Sequence, residues 1–310
     1  MDVSASNRRQ FLKYLGTAAV VGSVAPTLIA GPNGIGKPRA TMLTILHTND
    51  VHSRLDPFPM DGSRNAGRGG VARRATIIRQ IRQDQKNVLL FDAGDIFQGT
   101  PYFNLYKGEP EILAMNQLGY DAGTIGNHDF DGGIDNMVTQ FGKASFPLLI
   151  ANYDFKNTVL DGRTTPYKVF VKDGIRLGVF GLGIKPEGLI PKDAYRETKY
   201  LDPIEIGNDV AAHLRNEQKC DYVICLSHLG FKYDGPTVSD NVLVAQTRHI
   251  DGIIGGHTHT FLDAPVLVNN ADGQPVWINQ VGFAGINLGR IDLTFERGKA
   301  SMAGQSVQVN

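Results

Sequence analysis

The chain has 310 residues, 42% apolar and 20% charged, with 31 basic against 31 acidic side chains. That length supports a sizeable buried core, and the composition excludes a disordered chain. Balanced charge argues against a basic nucleic-acid-binding surface, so no nucleic-acid polymer is expected as a partner.

Residues 1–30 read as an export signal. Asn7-Arg8-Arg9-Gln10-Phe11-Leu12-Lys13 precedes an Ala/Gly/Val-rich run ending at Ala30, a charged segment followed by a short apolar one. The paired arginines with Phe-Leu-Lys resemble the twin-arginine translocation motif, with Asn7 where Ser or Thr is usual. That resemblance implies export of an already folded protein to the periplasm. A surface amphipathic helix is the competing reading. No Ala-x-Ala marks a cleavage point, so an uncleaved anchor stays open, and it is the one membrane contact expected. Residues 31–41 form a Gly/Pro linker. Gly31 to Lys37 mimics a phosphate-binding loop, but Pro38 stands where Ser or Thr belongs and no helix follows, so the motif fails its context.

From residue 42 to 310 the pattern is that of one catalytic-sized α/β domain. Met42 to Thr48 is an apolar strand that ends in Asn49-Asp50-Val51-His52. A long polar loop, Ser53 to Gly69, follows, of a length that compact domains reserve for functional or mobile segments. Gly70 to Gln83 has helical spacing. Val88 to Phe91 is a second strand, ending Asp92-Ala93-Gly94-Asp95, and Glu109 to Leu118 is a helix stopped by Gly119. A short apolar stretch, Ala122 to Ile125, runs into Gly126-Asn127-His128-Asp129-Phe130-Asp131, and a helix is expected from Gly133 to Phe141.

Phe146 to Ala151 is a further apolar run. Tyr167–Val171 and Arg176–Gly181 pair around an Asp173-Gly174 turn. Pro203 to Asn216 is helical, and Tyr222 to Leu226 is a strand ending Ser227-His228. Val242 to Thr247 is helical, and Ile250 to Ile254 ends in Gly255-Gly256-His257-Thr258-His259. Pro265 to Phe295 alternates like antiparallel strands. Cys220 and Cys225 fall on one expected strand, roughly 16 Å apart at strand rise. That is too far for a disulfide, and both read as small buried hydrophobes.

Five strand ends therefore carry metal-binding or proton-moving side chains, and five of the eight histidines sit in them. His47, His213 and His249 lie elsewhere and read as structural. In open α/β sheets the loops after the strands form one crevice, so these sets can converge. Imidazole with carboxylate suits divalent metals, and seven ligand-type residues exceed the needs of one ion. Singly, each residue could cap a turn or helix.

The blocks Asp50-Val-His52, Gly94-Asp95-Ile-Phe-Gln-Gly99, Gly126-Asn127-His128-Asp129, His228 and Gly256-His257-Thr-His259 resemble, in order, the calcineurin-like metallophosphoesterases, and within them the catalytic domain of bacterial 5′-nucleotidases. The resemblance covers about residues 42–296. It implies a four-layer α-β-β-α sandwich with two mixed sheets. It implies two divalent ions (Mn, Zn, Co or Mg), one held by Asp50, His52, Asp95 and His259. The other would be held by Asp95 as bridge with Asn127, His228 and His257. The position of His259 is glutamine in some relatives. His128 and Asp131 resemble the family's catalytic pair, with Asp92 and Asp129 in support. The implied reaction is phosphomonoester hydrolysis by a metal-held hydroxide on a small phosphoester, a nucleotide first. A phosphodiesterase, a sulfur-ester hydrolase or a metal-loaded binding subunit are the alternatives. Full-length relatives add a nucleoside-binding domain for which no residues after Phe295 are seen, so two expectations stay open: a separate substrate-binding chain as a partner, or recognition of the substrate by its phosphate alone. Tyr102, Phe103 and Tyr106 read either as core or as cleft lining.

Overall fold

The strand from Thr41 to Thr48 (β1) is buried from Leu43 onward, as expected of a strand covered on both faces. Its alternate residues serve two cores. Leu43 and Ile45 point to one side with Leu89 and Phe91 of Val88–Asp92 (β2), while Leu46 and Leu90 point to the other, the period-two geometry of a strand. This arrangement comes from a computed structural model that describes residues 40–310. The export signal expected at 1–30 and nearly all of the linker at 31–41 lie outside the described residues. Thr41, placed in that linker above, is the first residue of β1.

Two mixed sheets stack face to face, and a separate two-stranded ribbon pairs β4 (Tyr153–Asp154) with β7 (Lys199–Tyr200). The first orders as β13-β12-β1-β2-β3, where β3 is Ala122–Gly123, β12 is Asn287–Glu296 and β13 is Lys299–Gln308. β1, β2 and β3 run parallel, and β12 and β13 run antiparallel to their neighbours. The second orders as β10-β11-β9-β8-β6-β5, with β5 at Tyr167–Lys172, β6 at Ile175–Leu182, β8 at Tyr222–Ser227, β9 at Gly252–Gly255, β10 at Val266–Asn269 and β11 at Pro275–Asn279. Leu177, Val179, Ile224, Leu226 and Trp277 of this sheet meet Leu43, Ile45, Leu89 and Phe91 of the first.

Helices cover both outer faces, completing the four layers. On the first sheet lie α1 (Val71–Asp84), α2 (Pro101–Tyr106), α3 (Glu109–Leu118) and α4 (Gly133–Phe141), which contribute Ile78, Ile112, Met115, Ile134 and Met137 to the core around Leu46 and Leu90. After a single helical turn, α5 (Lys192–Tyr195), come α6 (Pro203–Asn216) and α7 (Asp240–Gln246). α6 starts at Asp202, whose carboxylate accepts from the Ile204 and Glu205 amides, with Pro203 preset at its first turn. Leu214 of α6 and Cys220 approach β6 at Gly178, where a Cβ would lie 3.1 and 3.0 Å from them. Both cysteines are free and buried, and Cys220 precedes β8 rather than lying in it.

The reading of residues 265–295 needs correction. The segment 265–295 is not one antiparallel set: β10 and β11 pair antiparallel, β11 runs parallel to β9, and β12 leaves for the other sheet beside β1. Phe146 to Ala151 is buried but forms no ladder. It makes single bridges, Gly123 to Leu148 and Leu149 to Thr165, and the Ala151 amide donates to Gly181 O at 2.8 Å. The run thus ties β3 of one sheet to β6 of the other.

Candidate metal centre

The carboxyl ends of β1, β2, β3, β8 and β9 gather at one end of the two sheets. Backbone bonds lock their loops together: the Asp50 amide donates to Gly94 O at 2.9 Å and the His52 amide to Asp95 O at 3.0 Å. The His257 amide donates to both carboxylate oxygens of Asp50, at 2.9 and 3.0 Å. Gly94, at φ 88°, is required here, because a Cβ would lie 2.6 Å from the Gly126 amide nitrogen.

Two ligand clusters result. Asp50, His52 and His259 form one, and Asp95, His228 and His257 the other; within each, the ligand atoms lie within 4.8 Å of one another. His52 Nε2 is 3.0 Å from His259 Nε2, and His259 Nε2 is 3.4 Å from Asp50 Oδ1. In the second cluster His228 Nε2 is 3.1 Å from Asp95 Oδ2, and Asn127 Oδ1 is 2.7 Å from His257 Nδ1. Asp95 Oδ2 also lies 3.8 Å from His52 Nε2, so this one oxygen faces both clusters. All seven residues singled out as ligands are brought together.

These loops are held in costly conformations. Asp50, His52, Asp95, His257 and His259 have φ of 50°, 50°, 56°, 72° and 52°, the left-handed region that non-glycine residues seldom occupy and that clusters at functional sites. Five such residues among seven candidate ligands mark where the fold spends backbone energy.

The chemistry of the donor set fits divalent cations. His228 is fully buried, and its Nδ1–H donates to Ala93 O at 2.6 Å. That bond turns Nε2 toward the site, where it makes no hydrogen bond, an orphan that a cation satisfies. Burial keeps His52 and His257 below the usual histidine range, His257 at about 4, so both present neutral imidazoles. Burial also presses His228 down, but Asp95 and Asp50 overcome it and carry it to about 10. Burial pushes Asp95 up, and His228 and His52 more than reverse this and hold it low. The positive charge that the two carboxylates favour on His228 is charge that a divalent cation would supply there instead.

His128 and Asp131 stand at the rim. His128 Nδ1 and Asp131 Oδ2 are 2.8 Å apart, and the two side chains are 39% and 32% exposed. The His128 ring centroid lies 5.2 Å from that of His52, and its amide donates to Asp95 Oδ1 at 2.8 Å. The bond to Asp131 raises its pKa against the opposing effect of burial.

A family model for calcineurin-like phosphoesterases matches residues 43–261. The chain belongs to the calcineurin-like phosphoesterases. Among relatives of this chain, the snake venom 5′-nucleotidase of Naja atra is 36% identical over 283 residues, covering 84% of this chain and 52% of that one. The human 5′-nucleotidase is 35% identical over 291 residues, covering 86% and 49%. The chain thus spans about half the length of the 5′-nucleotidases it matches. Among solved structures, the 5′-nucleotidase precursor of Thermus thermophilus superposes with a TM-score of 0.79 at 31% identity, covering 86% of this chain and 54% of that one. The calcineurin-like phosphoesterase YfkN of Bacillus subtilis gives 0.70 at 26% identity, covering 87% and 92%.

Several residues that shape this candidate centre escape the sequence pattern. Asn49 donates to Asp50 Oδ2 and to Gly282 O, both at 2.6 Å, and accepts from the Val281 amide. Gln280 accepts from Thr258 Oγ1 and from the Thr260 amide and donates to Gly256 O, clamping the loop that bears His257 and His259. Phe283 stacks on His259 with centroids 5.2 Å apart. Asn49 had one signal, its place directly before Asp50. Gln280 and Phe283 lie more than twenty residues beyond His257, where no spacing points to them. Asp92, expected to support rather than bind, accepts from Thr48 Oγ1 at 2.6 Å and the Gly94 amide at 2.9 Å. Burial lifts its pKa to about 7.

Proposed function

We propose that the chain hydrolyses phosphoric monoesters, 5′-nucleotides foremost, with two divalent cations. The cations supply Lewis-acid charge and a nucleophile available near neutral pH. Asp50, His52 and His259 would hold one, and Asn127, His228 and His257 the other, with Asp95 shared between them. The observation that carries the hydrolytic reading is the His128–Asp131 pair. A binding module has no use for a half-exposed imidazole beside a metal cluster with a carboxylate on its Nδ1. In a hydrolase, Asp131 accepts from Nδ1–H and keeps the ring charged and aimed. His128 Nε2–H then donates to the phosphoryl oxygens and to the ester oxygen as charge develops there. The 5′-nucleotidase relatives supply the substrate class. The test is phosphate release by chelated, metal-reloaded protein from nucleoside 5′-monophosphates, other monoesters and diesters, with Mn²⁺, Zn²⁺, Co²⁺ and Mg²⁺ in separate arms. Metal-dependent release from monoesters is expected. Turnover of diesters alone, or of nothing, overturns the reading.

The Arg8-Arg9 segment supports export by the twin-arginine route, giving a periplasmic protein. Replacing both arginines by lysine should leave the protein in the cytoplasmic fraction of a bacterial host that has this pathway. Unchanged export would overturn that assignment.

A further inference from the structure

Beside the metal centre lies an open pocket of about 320 Å³, lined by Arg54, Asp56, Thr100, Tyr102, Leu105 and Tyr106 among others. Its two walls grow out of the metal loops. Arg54 and Asp56 follow His52 by two and four residues, and Thr100 follows Gly99, where an added Cβ would lie 2.9 Å from His52 Cβ. The far end of α2 is tied to the helix after the His128–Asp131 pair, because Asn136 Nδ2 donates to Lys107 O at 2.9 Å. Thr100 Oγ1 also donates to Ser53 O at 3.0 Å, so the pocket adjoins the His52 side of the metal centre.

The lining is unusual for a solvated helix. α2 turns Phe103 into the core, stacked on Phe97 at 5.6 Å, and that leaves three large side chains facing out. Leu105 and Tyr106 are 71% and 54% exposed. Asp56 accepts from the Tyr102 hydroxyl through Oδ2 at 2.9 Å, and its other oxygen has no partner among the described residues. The Arg54 guanidinium lies 4.2 Å over the Phe58 ring and makes no hydrogen bond or ion pair among the described residues. Arg54 and Asp56 offset each other in charge, so the pocket does not select a second phosphate. Aromatic rings, a carboxylate oxygen with a free lone pair and a guanidinium edge match a neutral heterocycle bearing a vicinal diol, and the volume is that of a small-molecule site.

We infer that this pocket is a nucleoside subsite carried by the catalytic domain itself, with the base packed on Tyr102 and Tyr106 and the ribose hydroxyls on Asp56. The inference rests on the hydrolase reading for its substrate class, but binding of the nucleoside is testable without turnover. Adenosine and 2′-deoxyadenosine are titrated into the metal-chelated full chain, its Tyr106→Ala and its Asp56→Asn variants, with circular dichroism as the folding check. Tyr106→Ala should weaken adenosine binding about tenfold, as loss of a stacking ring does. The wild type should prefer adenosine to the deoxynucleoside, and Asp56→Asn should erase that preference. In the metal-loaded enzyme, the ratio of kcat/KM for AMP over glycerol phosphate should fall about tenfold in Tyr106→Ala. Absence of adenosine binding, or equal binding in all three proteins, overturns the subsite. A wild type that binds adenosine in this pattern yet releases phosphate from no monoester overturns the hydrolase reading and leaves the subsite standing.

Discussion

Asn127 Oδ1 faces His257 Nδ1 at 2.7 Å, while the next side chain, His128, turns to Asp131 at the rim. Adjacent residues thus have separate tasks, and their loss should give separate defects. Asn127→Ala should lower bound metal, measured by elemental analysis after dialysis. His128→Ala should keep the metal and lower kcat by on the order of 10² or more. Metal loss in the histidine variant would make His128 a ligand and sink the division. Asp131→Asn tests the pair itself. The bond to Asp131 raises the His128 pKa above the ordinary histidine value, so a rate that needs protonated His128 is full at low pH and falls as pH rises through that raised pKa. Removing the carboxylate charge lowers that pKa, and the alkaline limb of the kcat profile should move to lower pH. An unmoved limb would show that His128 acts without Asp131. At this scale the convergence of the candidate ligands was legible because divalent cations accept few side-chain types and these residues all sit just past an apolar strand. Asn49 and Gln280 were not, because an amide that holds a loop looks like any other polar residue.

Asp129 works at the level of elements. Its two oxygens accept from the amides of Asp95, Ile96, Phe97 and Gly126, at 3.1, 2.9, 3.1 and 2.8 Å, so one side chain from the β3 loop closes the β2 loop. Burial pushes its pKa up to about 7, but donors on both oxygens require the carboxylate, and we take that as its working form. Asp129→Ala would leave those buried amides without an acceptor and should cost at least about 3 kcal/mol in urea unfolding, with weaker metal binding. A loss below about 1 kcal/mol would mean water replaces the carboxylate. The helices Glu109–Leu118, Gly133–Phe141 and Pro203–Asn216 have the bounds their sequences announce, since Gly119, Gly133 and Pro203 punctuate them chemically. β13 was illegible for the opposite reason. It is an edge strand whose residues stay largely exposed, so no apolar alternation is written into it, and its pairing with β12 follows from the Arg297-Gly298 turn, at φ 51° and 74°.

The centre also joins the two halves of the molecule. Asp50, His52, Asp95 and Asn127 follow strands of the first sheet, and His228, His257 and His259 follow strands of the second. Sheet membership was not legible in the sequence, because strands of both sheets share the same apolar composition and parallel sense. Seen from the whole fold, each ligand cluster takes residues from both sheets: Asp50 and His52 with His259, Asp95 with His228 and His257. Cations bound there would act as clamps across the sandwich, beyond the apolar contact of Leu43, Phe91, Ile224 and Trp277. Ligand binding confined to the folded state stabilises by about 2.7 kcal/mol at a hundredfold excess over Kd. For a domain of this size that corresponds to roughly 5–10 °C in Tm. Thermal unfolding followed by circular dichroism should therefore show Tm rising with the logarithm of Mn²⁺ or Zn²⁺ concentration and falling on chelation. His259→Ala removes the second sheet's ligand from one cluster and His257→Ala one of its two from the other, so each should reduce the rise, the first more than the second. A Tm independent of metal in the wild type would show that the sheets are already fixed by their apolar faces and that the centre adds no clamp.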